Sequence, residues 1–274
     1  PVCSPHRACL LTGKYPLSNG VFTNCKIGLD VELNENEVCI SDVLKQNGYK
    51  TGYIGKWHLD KPDGSGGWDA YTEKGKRRHG FDFWYSYGAD DNHTAPHYWN
   101  TDGERIEIKE WSPNHETDIA IDYIKKNKEN FALFLSYNPP HNPYDKTPEE
   151  FKSLYKNIGF KENVEDGFCH HTGEKDNNSL ADLNDILCDY YGAVSGLDHN
   201  IGRIFNCLQE TGIYDDTVIV ISSDHGDMLG SYGLIGKYVW YEESVGIPLI
   251  IGGGGIRHLE VNELIGSVDH MPTI

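Results

Sequence analysis

The sequence predicts an α/β protein, a sheet with helices on its faces, and three observations carry that reading. Short β-branched or aromatic runs alternate along the chain with longer helical patterns. The 274 residues are 38% hydrophobic and 12% aromatic, enough to bury a sizeable core. The longest apolar runs, Phe131–Leu135 and Val218–Ile221, are strand-sized and far short of the roughly 18 residues that span a bilayer.

In chain order, Arg7–Gly13 and Ile40–Asn47 read as helices, and Lys50–Ile54 as a strand. Asp60–Asn114 reads as a long irregular stretch rich in Gly, Asp, His and aromatic residues, which suits the wall of a binding site. Glu116–Lys128 is helical in pattern, Phe131–Tyr137 is a strand, and Pro148–Tyr155 is a further helix. The longest helix spans Leu180–Thr211, where Ile186, Tyr190, Ala193, Val194, Leu197, Ile201, Ile204, Phe205 and Leu208 lay one apolar stripe for the core. Thr217–Ser222 and Pro248–Ile251 complete the strands. Gly252–Gly255 lacks the G-x-G-x-x-G spacing and a following helix, and reads as a turn.

Charge excludes one class of function. Twenty-four Lys and Arg stand against 42 Asp and Glu, a formal charge of −18, and such a surplus of acid repels a nucleic-acid polymer as a whole. The seven cysteines include no C-x-x-C pair, so neither a zinc knuckle nor a thioredoxin motif is written here.

The chemistry concentrates in a few motifs. In Cys3-Ser4-Pro5-His6-Arg7, Pro5 suits the first turn of a helix, which places Cys3 where free N–H groups favour an anion and Arg7 within reach of the same point. Leu11-Thr12-Gly13-Lys14 follows. Later come Gly48-Tyr49-Lys50-Thr51-Gly52-Tyr53-Ile54-Gly55-Lys56-Trp57-His58, then Asn138-Pro139-Pro140-His141, Ser223-Asp224-His225-Gly226-Asp227, and Gly236-Lys237 ahead of Glu242-Glu243-Ser244 and Pro248. In this order across nearly the whole chain, the blocks resemble the type I, formylglycine-dependent sulfatases of the alkaline-phosphatase-like superfamily.

The resemblance implies an alkaline-phosphatase-like sandwich with a mixed, mostly parallel central sheet flanked by helices. It implies that Cys3 is oxidised to formylglycine by a maturation enzyme, the hydrated aldehyde offering one hydroxyl to attack sulfur and a second to expel sulfate. Arg7 would stabilise that hydrate, Lys56 and His58 would hold it and move its protons, and His141 and Lys237 would bind the sulfate oxygens and assist the leaving alcohol. Asp224 and His225 would ligate a divalent metal, Ca²⁺ in most of the family. The substrate implied is a sulfated carbohydrate, and the location periplasmic or extracellular. Substituting Cys3 or Arg7 by Ala is expected to abolish activity while folding persists.

Physical chemistry agrees with that set. Cleaving a sulfate ester loads negative charge on non-bridging oxygens and on the departing alkoxide, which a metal ion, an Arg and two Lys around one anion stabilise. A hard cation demands oxygen ligands, yet Asp224 is the sole carboxylate of the set. The family's upstream pair of Asp residues is therefore expected in sequence before Pro1, and residues 1–274 are expected to be an incomplete catalytic domain lacking that strand and a smaller C-terminal subdomain. Two alternatives stay open: a phosphonate or phosphate monoester hydrolase of the same superfamily, and a non-catalytic relative that binds sulfated glycans. Lys74-Gly75-Lys76-Arg77-Arg78-His79, near Trp68, Tyr71, Trp84 and Tyr85, is a solvated face or a subsite for an anionic glycan. Cys169-His170-His171 cannot converge on one ion and is not assigned a metal.

Overall fold

A computed structural model describes residues 2–62, 64, 67–158, 169–170 and 180–274; for 169–170 and 180–182 it describes the backbone alone. The Cys169-His170-His171 side chains lie outside the described residues. Helix α1 (Cys3–Thr12) starts at Cys3 and not at Arg7, since Val2 is extended and Pro5 fits the first turn, and it ends at Gly13 in the left-handed region at φ 64°. Helices α2 (Pro16–Asn19) and α3 (Ile40–Gln46) lead into strand β1 (Lys50–Lys56).

The stretch expected to be irregular holds three strands, β2 (Phe83–Tyr87), β3 (His97–Trp99) and β4 (Arg105–Glu107). Their aromatic side chains, read from sequence as a site wall, mostly fill the core: Trp84, Tyr85, Tyr87 and Tyr98 are buried. Helix α4 (Ser112–Lys126) begins before Glu116 because Pro113 opens its first turn. Then follow β5 (Phe131–Ser136), a short α5 (Glu149–Lys152), β6 (Cys169–His170), α6 (Leu180–Glu210), β7 (Val218–Ser222), β8 (Leu234–Ile235), α7 (Glu242–Val245), β9 (Leu249–Gly253) and α8 (His270–Thr273).

The main sheet is mixed, in the order β4-β3-β2-β1-β5. β1 pairs parallel with both β2 and β5, while β3 joins β2 and β4 antiparallel. β6–β8 form a parallel ladder and β7–β9 an antiparallel one. β1 is buried at every residue after Lys50, as a parallel strand covered on both faces should be. One face carries an aromatic cluster under α1 and α3, with Tyr53 edge-on to Trp57 at 5.0 Å and stacked on Trp84 at 5.4 Å. Burying each such ring contributes about 2–3 kcal/mol. The other face packs Ile54, Tyr85 and Tyr98 with Ala120 of α4.

Beneath that second face lies a buried acid. Glu116 is wholly buried and accepts a hydrogen bond from the Tyr98 hydroxyl at 2.9 Å, while its Oε2 has no partner. Burial pushes its carboxyl up to about 8, against the pull of Tyr98 and Arg7. A carboxyl raised in the native state favours the fold fully below its ordinary pKa of 4.5, and that contribution is lost as pH rises through about 8. Glu116→Gln keeps an acceptor for Tyr98 and carries no charge. Its stability relative to the parent should therefore grow by up to about 1.4 kcal/mol per pH unit across that window. Urea midpoints measured from pH 4.5 to 8 test this, and parallel curves for the two proteins would refute it.

Candidate active site

The site residues stand where α/β sheets place their chemistry, beyond the carboxyl ends of strands. Lys56 ends β1 and His58 follows it; Ser136 ends β5, and Asn138 and His141 follow it; Asp224 and His225 follow β7; Lys237 follows β8. Cys3 and Arg7 face them from the first two turns of α1. Gly55 makes the close approach possible: its φ is 95°, and a Cβ there would lie 2.2 Å from the Ser136 carbonyl oxygen.

Cys3 is buried, with Sγ 3.3 Å from His225 Nε2. Burial opposes ionisation of the thiol, but Lys56 and the imidazoles of His141, His225 and His58 outweigh it and hold the group well below its ordinary value. Ser4 fixes the helix start. Its N–H donates to Asn24 Oδ1 at 3.0 Å, its hydroxyl donates to the His58 carbonyl at 2.7 Å, and Cys25 N–H donates to that hydroxyl at 3.1 Å.

Arg7 reaches across three segments. Nη1 donates to the Lys56 carbonyl at 2.7 Å and to Ser136 Oγ at 2.5 Å, and Nη2 pairs with Asp224 Oδ2 at 3.1 Å. Burial raises the Asp224 carboxyl, but His225 and Arg7 overcome that and hold it far below the usual range. Lys56 Nζ donates to Asn138 Oδ1 at 3.0 Å, and Asn138 Nδ2 donates to Asp91 Oδ1 at 3.0 Å. His58 has a positive φ of 55°. Its Nε2 donates to the Cys25 carbonyl at 3.2 Å, which leaves Nδ1 buried without a hydrogen bond. Burial lowers its pKa and favours the neutral ring, so Nδ1 keeps a lone pair that can take a proton.

Lys237 Nζ lies 2.6 Å from His141 Nε2. His141 Nδ1 donates to the Asn142 carbonyl at 2.8 Å and faces Asp91 Oδ1 at 3.3 Å. Burial and Lys56 favour the neutral imidazole, yet Asp91 and Cys3 prevail and push its pKa up. A lysine and an imidazole this close present neighbouring nitrogens to an anion placed beside them.

The candidate residues Cys3, Arg7, Lys56, His58, His141, Asp224, His225 and Lys237 thus lie around one place. Ser136, Asn138 and Asp91 were missed as site residues. Asn138 stood in a motif already read, two residues from a strand end, and that signal could have found it; Asp91 follows a strand that went unread. Asp227 has a hydrogen-bonding role, its carboxylate accepting from Tyr144 Oη at 2.7 Å and from the Leu229 and Gly236 N–H groups at 3.0 and 2.9 Å. In the basic run Lys74 and Lys76 are exposed, as a solvated face has them, while the two arginines are engaged internally. Arg77 pairs with Glu32 at 2.5 Å, and Arg78 is buried 5.2 Å from the Trp84 ring centre with Nη1 on the Thr101 carbonyl. Neither guanidinium is placed to form the glycan subsite considered for it.

Cys3, Asp224 and His225 present donor atoms within 4.8 Å of one another. His225 Nδ1–H is spent on the Gly226 carbonyl at 2.8 Å, which turns Nε2 outward as a ligating imidazole requires. The set fits one side of a divalent-cation shell. It supplies a single carboxylate, so it does not amount to the roughly six to eight oxygens that Ca²⁺ takes.

A family model described as Sulfatase matches residues 1–274. An endo-4-O-sulfatase from Bacteroides thetaiotaomicron is 36% identical over 100% of this chain and 57% of its own length. An ulvan-active sulfatase from Formosa agariphila is 34% identical over 100% of this chain and 52% of its own. The chain thus spans little more than half of these curated relatives. A structure solved in work on the metabolism of multiple glycosaminoglycans by Bacteroides thetaiotaomicron superposes with a TM-score of 0.87 at 34% identity, covering 100% of this chain and 60% of that one.

Proposed function

Since the chain belongs to the sulfatase family, we propose that it hydrolyses sulfate esters on a carbohydrate, with Cys3 as the precursor of the nucleophile. One observation carries this reading. A buried Cys3 at a helix start is ringed by Arg7, Lys56, His58, His141, His225 and Lys237, brought from separate segments to one small volume where these nitrogen groups outnumber the carboxylates of Asp224 and Asp91, inside a chain of charge −18. Such a volume takes a compact anion.

Oxidised by a maturation enzyme, Cys3 would become a formylglycine whose hydrate supplies one hydroxyl to attack sulfur and a second to release sulfate. Arg7 holds the approach rigid: its guanidinium is pinned to Lys56, Ser136 and Asp224 and presents charge without moving. Lys56, steadied by Asn138, sets its ammonium toward the Cys3 side chain. His58 Nδ1, free of other bonds, accepts the proton of the attacking group. The Lys237–His141 pair binds non-bridging oxygens and holds the proton that a leaving alcohol needs. Asp91 orients His141 through Nδ1. A divalent cation on Asp224 and His225 would add positive charge at the sulfate oxygens, and Ca²⁺ is the ion proposed.

The substrate class draws on the two relatives, one named for endo-4-O-sulfatase activity and the other as active on ulvan. Sulfated polysaccharide lies outside cells, so a periplasmic or extracellular location is part of the proposal. Among the described residues no helix is long and apolar enough to cross a membrane. Comparing turnover of an aryl sulfate with that of the matching aryl phosphate and phosphonate esters tests the reaction class. The sulfate should have the highest kcat/KM; a preference for either phosphorus ester would overturn the reading.

A further inference from the structure

The cleavage centre has a second cation and an exposed ring on its rim. Asn24 and Cys25 are bound to the start of α1 through Ser4, and the Cys25 carbonyl accepts from His58. The next residue, Lys26, is therefore held one step beyond the nucleophile position. Its Nζ lies 5.7 Å from the centre of the Trp68 ring, and among the described residues it joins no ion pair. Trp68 is 42% exposed, and its ring centre is 6.1 Å from that of His58.

The platform is anchored. Asp69, next to Trp68, accepts from the Gly88 N–H at 2.8 Å and pairs with His97 Nε2 at 2.7 Å; His97 Nδ1 pairs with Asp90 at 3.2 Å, beside the Asp91 that orients His141. One imidazole thus ties the Trp68 loop to the loop that serves the catalytic His. An exposed indole held this way is a stacking surface for the apolar face of a sugar ring. An ammonium resting on it by a weak cation–π contact can exchange that contact for a carboxylate or sulfate. By contrast Lys61 is paired with Asp30 and Arg77 with Glu32.

We propose that Lys26 and Trp68 form a saccharide subsite beside the cleavage centre, Trp68 stacking on a sugar ring and Lys26 pairing with an anionic group on the same glycan. This rests on the reading of the Cys3 centre as the place where the sulfate ester binds. The anion is a uronate carboxylate or a second sulfate, and one assay separates them.

Binding is measured by calorimetry on the full-length protein carrying Cys3→Ala, which turns nothing over. The probes are a sulfated tetrasaccharide containing uronate, its carboxyl-reduced form, and a carboxyl-reduced form bearing a further sulfate. The protein should prefer at least one charged probe over the singly sulfated reduced one by roughly tenfold. Lys26→Met should abolish that preference, and Lys26→Arg should keep it. Trp68→Ala should weaken all three probes by roughly tenfold, with Trp68→Phe recovering most of the loss. The probe preferred identifies the anion. Equal affinity for the three probes, no binding of any, or a preference that survives Lys26→Met would each overturn the subsite. Because the readout is binding without turnover, failure of the subsite and failure of the sulfatase reading are seen separately.

Discussion

Arg7→Ala should abolish turnover of aryl sulfate and also destabilise the fold. The side chain makes three hydrogen bonds, to the Lys56 carbonyl, Ser136 Oγ and Asp224 Oδ2, and joins the ends of β1 and β5 to the segment after β7. Removing it takes positive charge from the anion site, where loss of a single preorganised donor costs about 10²–10³ in kcat. It also leaves Asp224 as a largely buried carboxylate without its guanidinium, and breaking a buried pair from one side costs about 3–5 kcal/mol. Sequence alone suggested that the variant would fold as the parent does; the geometry revises that expectation. Arg7→Lys keeps the charge but cannot span three acceptors, so it should recover stability in part and activity little. Urea unfolding with aryl sulfate kinetics tests both halves. An Arg7→Ala protein within tenfold of parental turnover would contradict the role given to Arg7.

Cys3→Ala should behave differently. Its side chain is small, buried at the start of α1, and in contact with the imidazoles of His225, His141 and His58. The helix start is held by Ser4, not by Cys3, so the substitution should cost about 1 kcal/mol or less. Turnover should fall by roughly 10⁴-fold or more, as removal of a nucleophile does. Together the two variants separate a group that reacts from one that supplies charge to the site and also builds the fold. Equal loss of stability in both would remove that distinction.

How far the sequence discloses this molecule depends on the kind of signal. The long helix α6, of 31 residues, is legible because an apolar stripe runs along it from Ile186 to Leu208, and its observed bounds differ from the expected ones by a single residue at the C-terminus. The strands β5, β7 and β9 contain short apolar runs and β1 a β-branched and aromatic one, and each lies where it was expected to within two residues. By contrast β2, β3 and β4 went unread. Phe83-Trp84-Tyr85-Ser86-Tyr87 is aromatic at nearly every position, and a run without alternation is ambiguous between a covered strand and a wall of exposed rings. Burial decided for the strand.

The site shows the same division. Cys3, Arg7, Lys56, His58, His141, Asp224, His225 and Lys237 stand in motifs whose residue types announce charge and proton chemistry. Ser136, Asn138 and Asp91 act by holding those groups, and Ser or Asn or Asp near a strand end carries no such announcement. The basic run Lys74–His79 misleads for the opposite reason. Charge in sequence looks available, whereas Arg77 and Arg78 are committed to Glu32, Trp84 and backbone carbonyls. Lys26, a lone lysine in a loop, gave no sign at all.

The central claim is that Cys3 is converted to the group that cleaves a sulfate ester. Mass analysis of the peptide containing Cys3, taken from full-length protein made with a formylglycine-generating maturation enzyme and active on aryl sulfate, tests it most directly. The expected result is an aldehyde in place of the thiol, in a fraction that rises and falls with specific activity. A thiol in every molecule of an actively turning-over preparation would contradict the claim.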